Sequence, residues 1–87
     1  MAKNKSYIRG SLGKPFNNNN IGSNLRKLRL LNDIKQQELA KVLGISRQML
    51  SHYENNKYPV PEIIVQRIIL HFHISLESLL SNSKLKA

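Results

Sequence analysis

Cysteine is absent from the 87-residue chain, so neither a disulfide framework nor a thiolate metal site can hold it together. Acid is scarce: 5 Asp and Glu stand against 14 Lys and Arg, for a net charge of +9. No apolar run is long enough to cross a bilayer, and the polar Met1 end lacks a run of signal-peptide length. No segment pairs a broad apolar face with a dense Lys/Arg face, as a membrane-surface helix would. A cytoplasmic protein without a membrane partner is therefore expected. Catalytic chemistry is missing as well. There is no phosphate-cradling glycine loop, Ser46 and Ser51 have no Asp–His arrangement, and Glu38 and Glu54 make no convincing acid–base pair. His71 and His73 are two apart, a spacing that does not put both on one helix face. These absences lead us to expect no enzyme, no metal and no cofactor.

The charge that is present is unevenly spread. Residues 1–20 carry Lys3, Lys5, Arg9 and Lys14 with no acid, and the remainder carries a smaller excess per residue. A basic body with a purely basic arm suits a polyanion, although solvated lysines would have the same composition. Gly10, Gly13, Pro15 and the run Asn17–Asn20 disfavour regular structure, so residues 1–20 read as a flexible arm.

The body reads as five short helices over residues 21–80. Leu25, Leu28 and Leu31 form a helical stripe that begins near Ile21 and stops at Asn32-Asp33. In IKQQELAKVLG, the stripe of Leu39, Ala40 and Leu43 is followed by Gly44, a left-handed C-terminal cap. Ser46 is a good N-cap for RQMLSHYEN, which Asn55-Asn56 ends. Pro61 with Glu62 opens PEIIVQRIILHF, Ser75 caps LESLL, and residues 81–87 read as a frayed tail. From its length we expect one domain, without a separate ligand sensor.

Two short helices joined by a tight glycine turn can cross steeply, so that the second projects and enters the major groove. Such a crossing needs a small residue at the closest approach, a glycine in the turn and an aliphatic anchor on the second helix. Ala40, Gly44 and Leu50 have that order and spacing.

On these residues, QQELAKVLGISRQMLSHYENNKYPVP resembles the helix-turn-helix of the XRE, or phage Cro and repressor-type, regulators, over roughly residues 21–80. The resemblance implies an all-α, five-helix lambda-repressor-like domain whose third helix reads double-stranded DNA. It implies a transcriptional repressor acting as a homodimer on a palindromic operator. Carried over to this chain, Arg47, Gln48, Ser51 and His52 face the bases, where Arg pairs with guanine and Gln with adenine. Gln36, Asn55 and Lys57 meet the backbone, and Arg29 bridges to Glu54. Apart from the resemblance, Lys3, Lys5, Arg9 and Lys14 of the arm are expected to reach phosphates or a minor groove, folding on contact, the alternative being a solvated tail. Lys35 departs from the usual Ser or Thr cap, and Asp33, Asn56 and His73 stand where glycine is common.

The segment PEIIVQRIILHF is apolar over more than half its circumference, and such a surplus often marks an interface. Ile64, Ile68, Leu70 and Leu79 are the expected dimer or partner surface, unless Ile8, Phe16 or Leu85 covers it. Two alternatives remain open. One is an antitoxin that binds both DNA and a toxin; a toxin or an anti-repressor would then be the protein partner. The other is a protein-interaction module without DNA binding.

Overall fold

A computed structural model describes residues 13–16 and 18–82. Lys3, Lys5, Arg9, Ile8 and Leu85 lie outside the described residues. The described chain forms five helices: α1 (Asn20–Leu31), α2 (Gln36–Leu43), α3 (Arg47–Glu54), α4 (Glu62–Phe72) and α5 (Leu76–Leu80). Among the described residues the only β pairing is an isolated bridge between Pro15 and Pro61.

The helix starts follow from side chains that satisfy free N–H groups. The Asn18 carbonyl oxygen of the side chain accepts from the Asn20 amide at 2.8 Å at the head of α1. Ser46 Oγ accepts from Met49 N, and Ser75 Oγ from Ser78 N, each at 3.0 Å. Lys35 has no acceptor to offer α2. Only the returning half of a capping box operates there, with the Glu38 carboxylate accepting from Lys35 N at 3.0 Å.

One device closes four of the helices. Asp33, Gly44, Asn56 and His73 all lie in the left-handed region, with φ between 57° and 75°. The amide after each reaches back five residues: Ile34 to Arg29, Ile45 to Ala40, Lys57 to His52 and Ile74 to Ile69. Only one of the four is glycine; Asp33, Asn56 and His73 make the same turn without it.

The helices enclose a core in which Ile21, Leu25, Leu39, Leu43, Leu50, Ile64, Ile68 and Leu79 are completely buried. α1 packs on α3 and α5, α2 on α3, and α4 on α2 and α5. Asn24, also buried, donates through Nδ2 to the carbonyls of Leu79 at 2.7 Å and Ser81 at 2.8 Å. Asn20 Nδ2 donates to the Leu80 carbonyl at 3.0 Å. These amides take carbonyls that the end of a five-residue helix leaves open, and so tie α5 to α1.

Much of the apolar surplus of α4 is spent inside the fold, with Ile63, Ile69 and Phe72 half-buried. Ile64, Ile68 and Leu79, expected on a dimer or partner surface, have no exposed area, whereas Leu70 is 73% exposed. The reason is that α4 is covered on more than one side. α2 and α5 pack on it, and residues 13–16 cross its N-terminal end. Phe16 N donates to the Val60 carbonyl at 3.1 Å, and Glu62 N to the Lys14 carbonyl at 2.8 Å. The end of the expected arm is thus docked by main-chain pairing, and α1 already begins at Asn20.

Candidate nucleic-acid interface

α2 and α3 meet through small and aliphatic side chains. Ala40 and Leu50 are buried between them, and Gly44 turns the chain at φ 75°. A Cβ on Gly44 would also stand 2.9 Å from an Arg67 guanidinium nitrogen. That guanidinium donates to the Leu43 carbonyl at 2.7 Å, so α4 caps the end of α2. Gly22 serves a second close approach, since a Cβ there would run into the Tyr53 carbonyl at the end of α3.

Leu50, Tyr53 and Glu54 form the inward side of α3. Burial raises the pKa of the Tyr53 phenol, because the phenolate would be poorly solvated there. On the other side Arg47 and Gln48 are exposed, and Ser51 and His52 are half-buried. Arg47 and Gln48 therefore present donors and an acceptor outward on a helix whose other side is anchored in the core.

The Arg29–Glu54 link forms as expected, in bidentate geometry. Nε donates to Oε2 at 2.7 Å and an Nη to Oε1 at 3.1 Å. Another Arg29 nitrogen donates to the Ile34 carbonyl at 3.0 Å, in the turn before α2. Glu54 is 4% exposed, so this carboxylate depends on its donors. Gln36 extends the link further. Its Nε2 donates to Glu54 Oε1 at 3.0 Å, and its Oε1 accepts from Arg47 at 3.3 Å. One hydrogen-bonded chain thus runs from α1 through the end of α3 and the start of α2 to the first residue of α3.

Beyond α3, Asn55 and Lys57 are exposed. Asn55 Nδ2 donates to the Ser51 carbonyl at 2.9 Å, which secures the last turn. Lys14 is exposed on the docked segment. Sequence reasoning passes over Arg67 and Tyr58. Arg67 carries no local signal, since its partner is on another helix. Tyr58, 46% exposed, stacks edge-on against His52 with ring centroids 5.2 Å apart; the only hint of it is an aromatic residue in a proline-bounded loop. Among the described residues no group of three His, Cys, Asp or Glu is placed to hold a metal ion, and no helix is long and apolar enough to cross a membrane.

Comparison with known proteins places this geometry. The family model described as helix-turn-helix matches residues 25–79. Antitoxin PezA of Streptococcus pneumoniae serotype 4 is 35% identical over 65 residues, which are 75% of this chain; the chain spans 41% of that protein's length. The restriction-modification controller protein C.AhdI from Aeromonas hydrophila is similar in fold, with a TM-score of 0.63 at 23% identity over 69% of this chain and 91% of that one. The N-terminal DNA binding domain of SinR from Bacillus subtilis gives a TM-score of 0.65 at 24% identity, over 77% and 99% of the two chains. The clp gene regulator ClgR from C. glutamicum gives 0.66 at 22%, over 77% and 87%.

Proposed function

The chain belongs to the XRE-type helix-turn-helix family of DNA-binding transcriptional regulators, and we propose that it is a repressor that reads a palindromic operator as a homodimer. α3 of each subunit enters the major groove, and the two reading helices lie one helical turn of DNA apart, about 34 Å. Arg47 and Gln48 contact base edges, joined by Ser51 and His52, while Gln36, Asn55 and Lys57 contact phosphates. The observation that carries this reading is the outward display of Arg47 and Gln48 on a helix whose base is locked by Leu50, Tyr53 and the Arg29–Glu54 pair. Leu70, exposed on α4, is the residue of the expected interface left free to meet a second copy. The protein acts in the cytoplasm, on the nucleoid.

Selection of bound fragments from random duplex DNA tests the proposal. An enriched inverted repeat with half-site centres about ten base pairs apart is expected. Enrichment of a single unrepeated motif would exclude the symmetric dimer. Absence of any binding at micromolar protein and low salt would favour a module that has lost DNA binding, because non-specific affinity alone would register there. The arm adds Lys3, Lys5, Arg9 and Lys14 as phosphate contacts. Removal of residues 1–12 is expected to flatten the dependence of log affinity on log salt by about one unit for each phosphate no longer neutralised. An unchanged slope would remove Lys3, Lys5 and Arg9 from the interface.

The identity to antitoxin PezA favours a second reading, in which the same DNA-binding chain also holds a toxin protein. The partner would take Leu70 or the arm, because Ile64, Ile68 and Leu79 are committed to the core. Co-purification of a second small protein at one-to-one stoichiometry supports this reading, and recovery of the chain alone from its native host counts against it.

A further inference from the structure

His52 lies in the last turn of α3, and the chain doubles back immediately after it. Asn56 takes the left-handed conformation at φ 59°, and Lys57 N donates to the His52 carbonyl at 2.8 Å. Pro59 follows, and Val60 is buried, with its carbonyl accepting from Phe16 N at 3.1 Å. Tyr58 is thus held between two anchored points and turned back on the helix. Its ring meets the His52 imidazole at 5.2 Å between centroids and 83° between planes. This is the edge-to-face arrangement that aromatic pairs prefer. Rotation of an imidazole about its last torsion is broad, and a ring set edge-on against the half-buried His52 removes much of that freedom.

We propose that Tyr58 is a positioning residue for His52, fixing the imidazole on the reading face and so setting the preference for one base pair at the C-terminal end of α3. The inference rests on α3 being the reading helix. The role belongs to the ring rather than the hydroxyl. Tyr58 also borders a cleft of about 330 Å³ shared with Phe16, Asn18 and Val60. Truncation of Tyr58 therefore enlarges an existing opening and leaves no void in the core.

The test uses the full chain, a duplex selected by that chain, the set of its single-base-pair variants, and a random duplex. Tyr58→Ala is expected to lower affinity for the selected duplex about three- to tenfold, as loss of an aromatic pair would. It should erase discrimination at one base pair while sparing the others, the random duplex and the melting temperature. Tyr58→Phe is expected to restore full discrimination. His52→Ala is expected to erase discrimination at the same base pair, with the double variant no worse than His52→Ala alone. Additive losses, or an equal loss on every duplex that Phe does not rescue, would overturn the positioning role; the latter would make Tyr58 a phosphate contact. If His52→Ala leaves all preferences intact while Arg47→Ala changes one, the inference fails and the reading helix stands. If neither changes any preference, it is the reading helix that fails, and the inference with it.

Discussion

α3 and α4 invite opposite misreadings. α4 has eleven residues, seven of them apolar, and looks like a surface awaiting a partner; α3 has eight, five of them polar, and its composition alone would suit a solvated face. The structure buries most of the first surface within the fold and leaves the polar side of α3 exposed or half-buried. α4 packs on α2 and α5, and residues 13–16 cross its N-terminal end, so that Ile64, Val65 and Ile68 are fully enclosed while Leu70 stays exposed. α3 is fixed along one side only and offers the rest outward. Apolar content reports how many sides of a helix are covered within its own fold. What a helix does to a partner is set by the side chains it holds rigidly and leaves unspent.

The contrast can be broken from either side. Glu54→Ala removes a buried carboxylate and strands Arg29 and Gln36, and a loss of about 3–5 kcal/mol in urea unfolding is expected. Specific DNA affinity should fall with it even where the variant remains folded, because Gln36 loses its anchor and Arg47, which donates to Gln36, loses its support in turn. Ile68→Ala empties part of the core beneath α2 and α5 and should cost about 2–5 kcal/mol. Below its unfolding transition it should keep the parent's base preferences, since nothing on α3 is touched. Loss of base preference in folded Ile68→Ala, or its retention in Glu54→Ala, would erase the distinction between the two helices.

Much of this frame is legible in the residues alone. LESLL forms α5 to the residue, and Gln36 and Arg47 open α2 and α3 where the pattern puts them. The left-handed positions at Asp33, Asn56 and His73 are readable because chain reversal after a helix needs positive φ. These features are local, set by caps and periodicity within a few residues. The features that escape are long-range or carried by the main chain. Segment 14–16 docks by backbone pairing beside prolines, which leaves no alternation to read. Asn24 acts on carbonyls some 55 residues away, and Arg67 on the end of another helix. The extension of the Arg29–Glu54 link through Gln36 to Arg47 requires the packed geometry as well.

His73 offers the smallest change and sharpens the picture of α4 as a structural element. An L side chain in the left-handed region is strained, and His lacks the short polar group that eases Asn and Asp into it. His73→Gly is expected to stabilise the protein by about 0.5–1 kcal/mol, with DNA affinity unchanged. A loss of stability in thermal unfolding would mean that the His73 side chain makes an interaction worth more than the strain of this turn.

The most direct test of α3 as the reading element is the double substitution Arg47→Ala with Gln48→Ala, measured by titration against the selected operator and against random duplex DNA at one salt concentration. Both side chains are exposed, so the fold should survive. Operator affinity should drop by about 1–3 kcal/mol for each base that is no longer read, while affinity for random DNA stays within a few-fold of the parent. An equal fall on both duplexes, or no fall on either, would contradict the account.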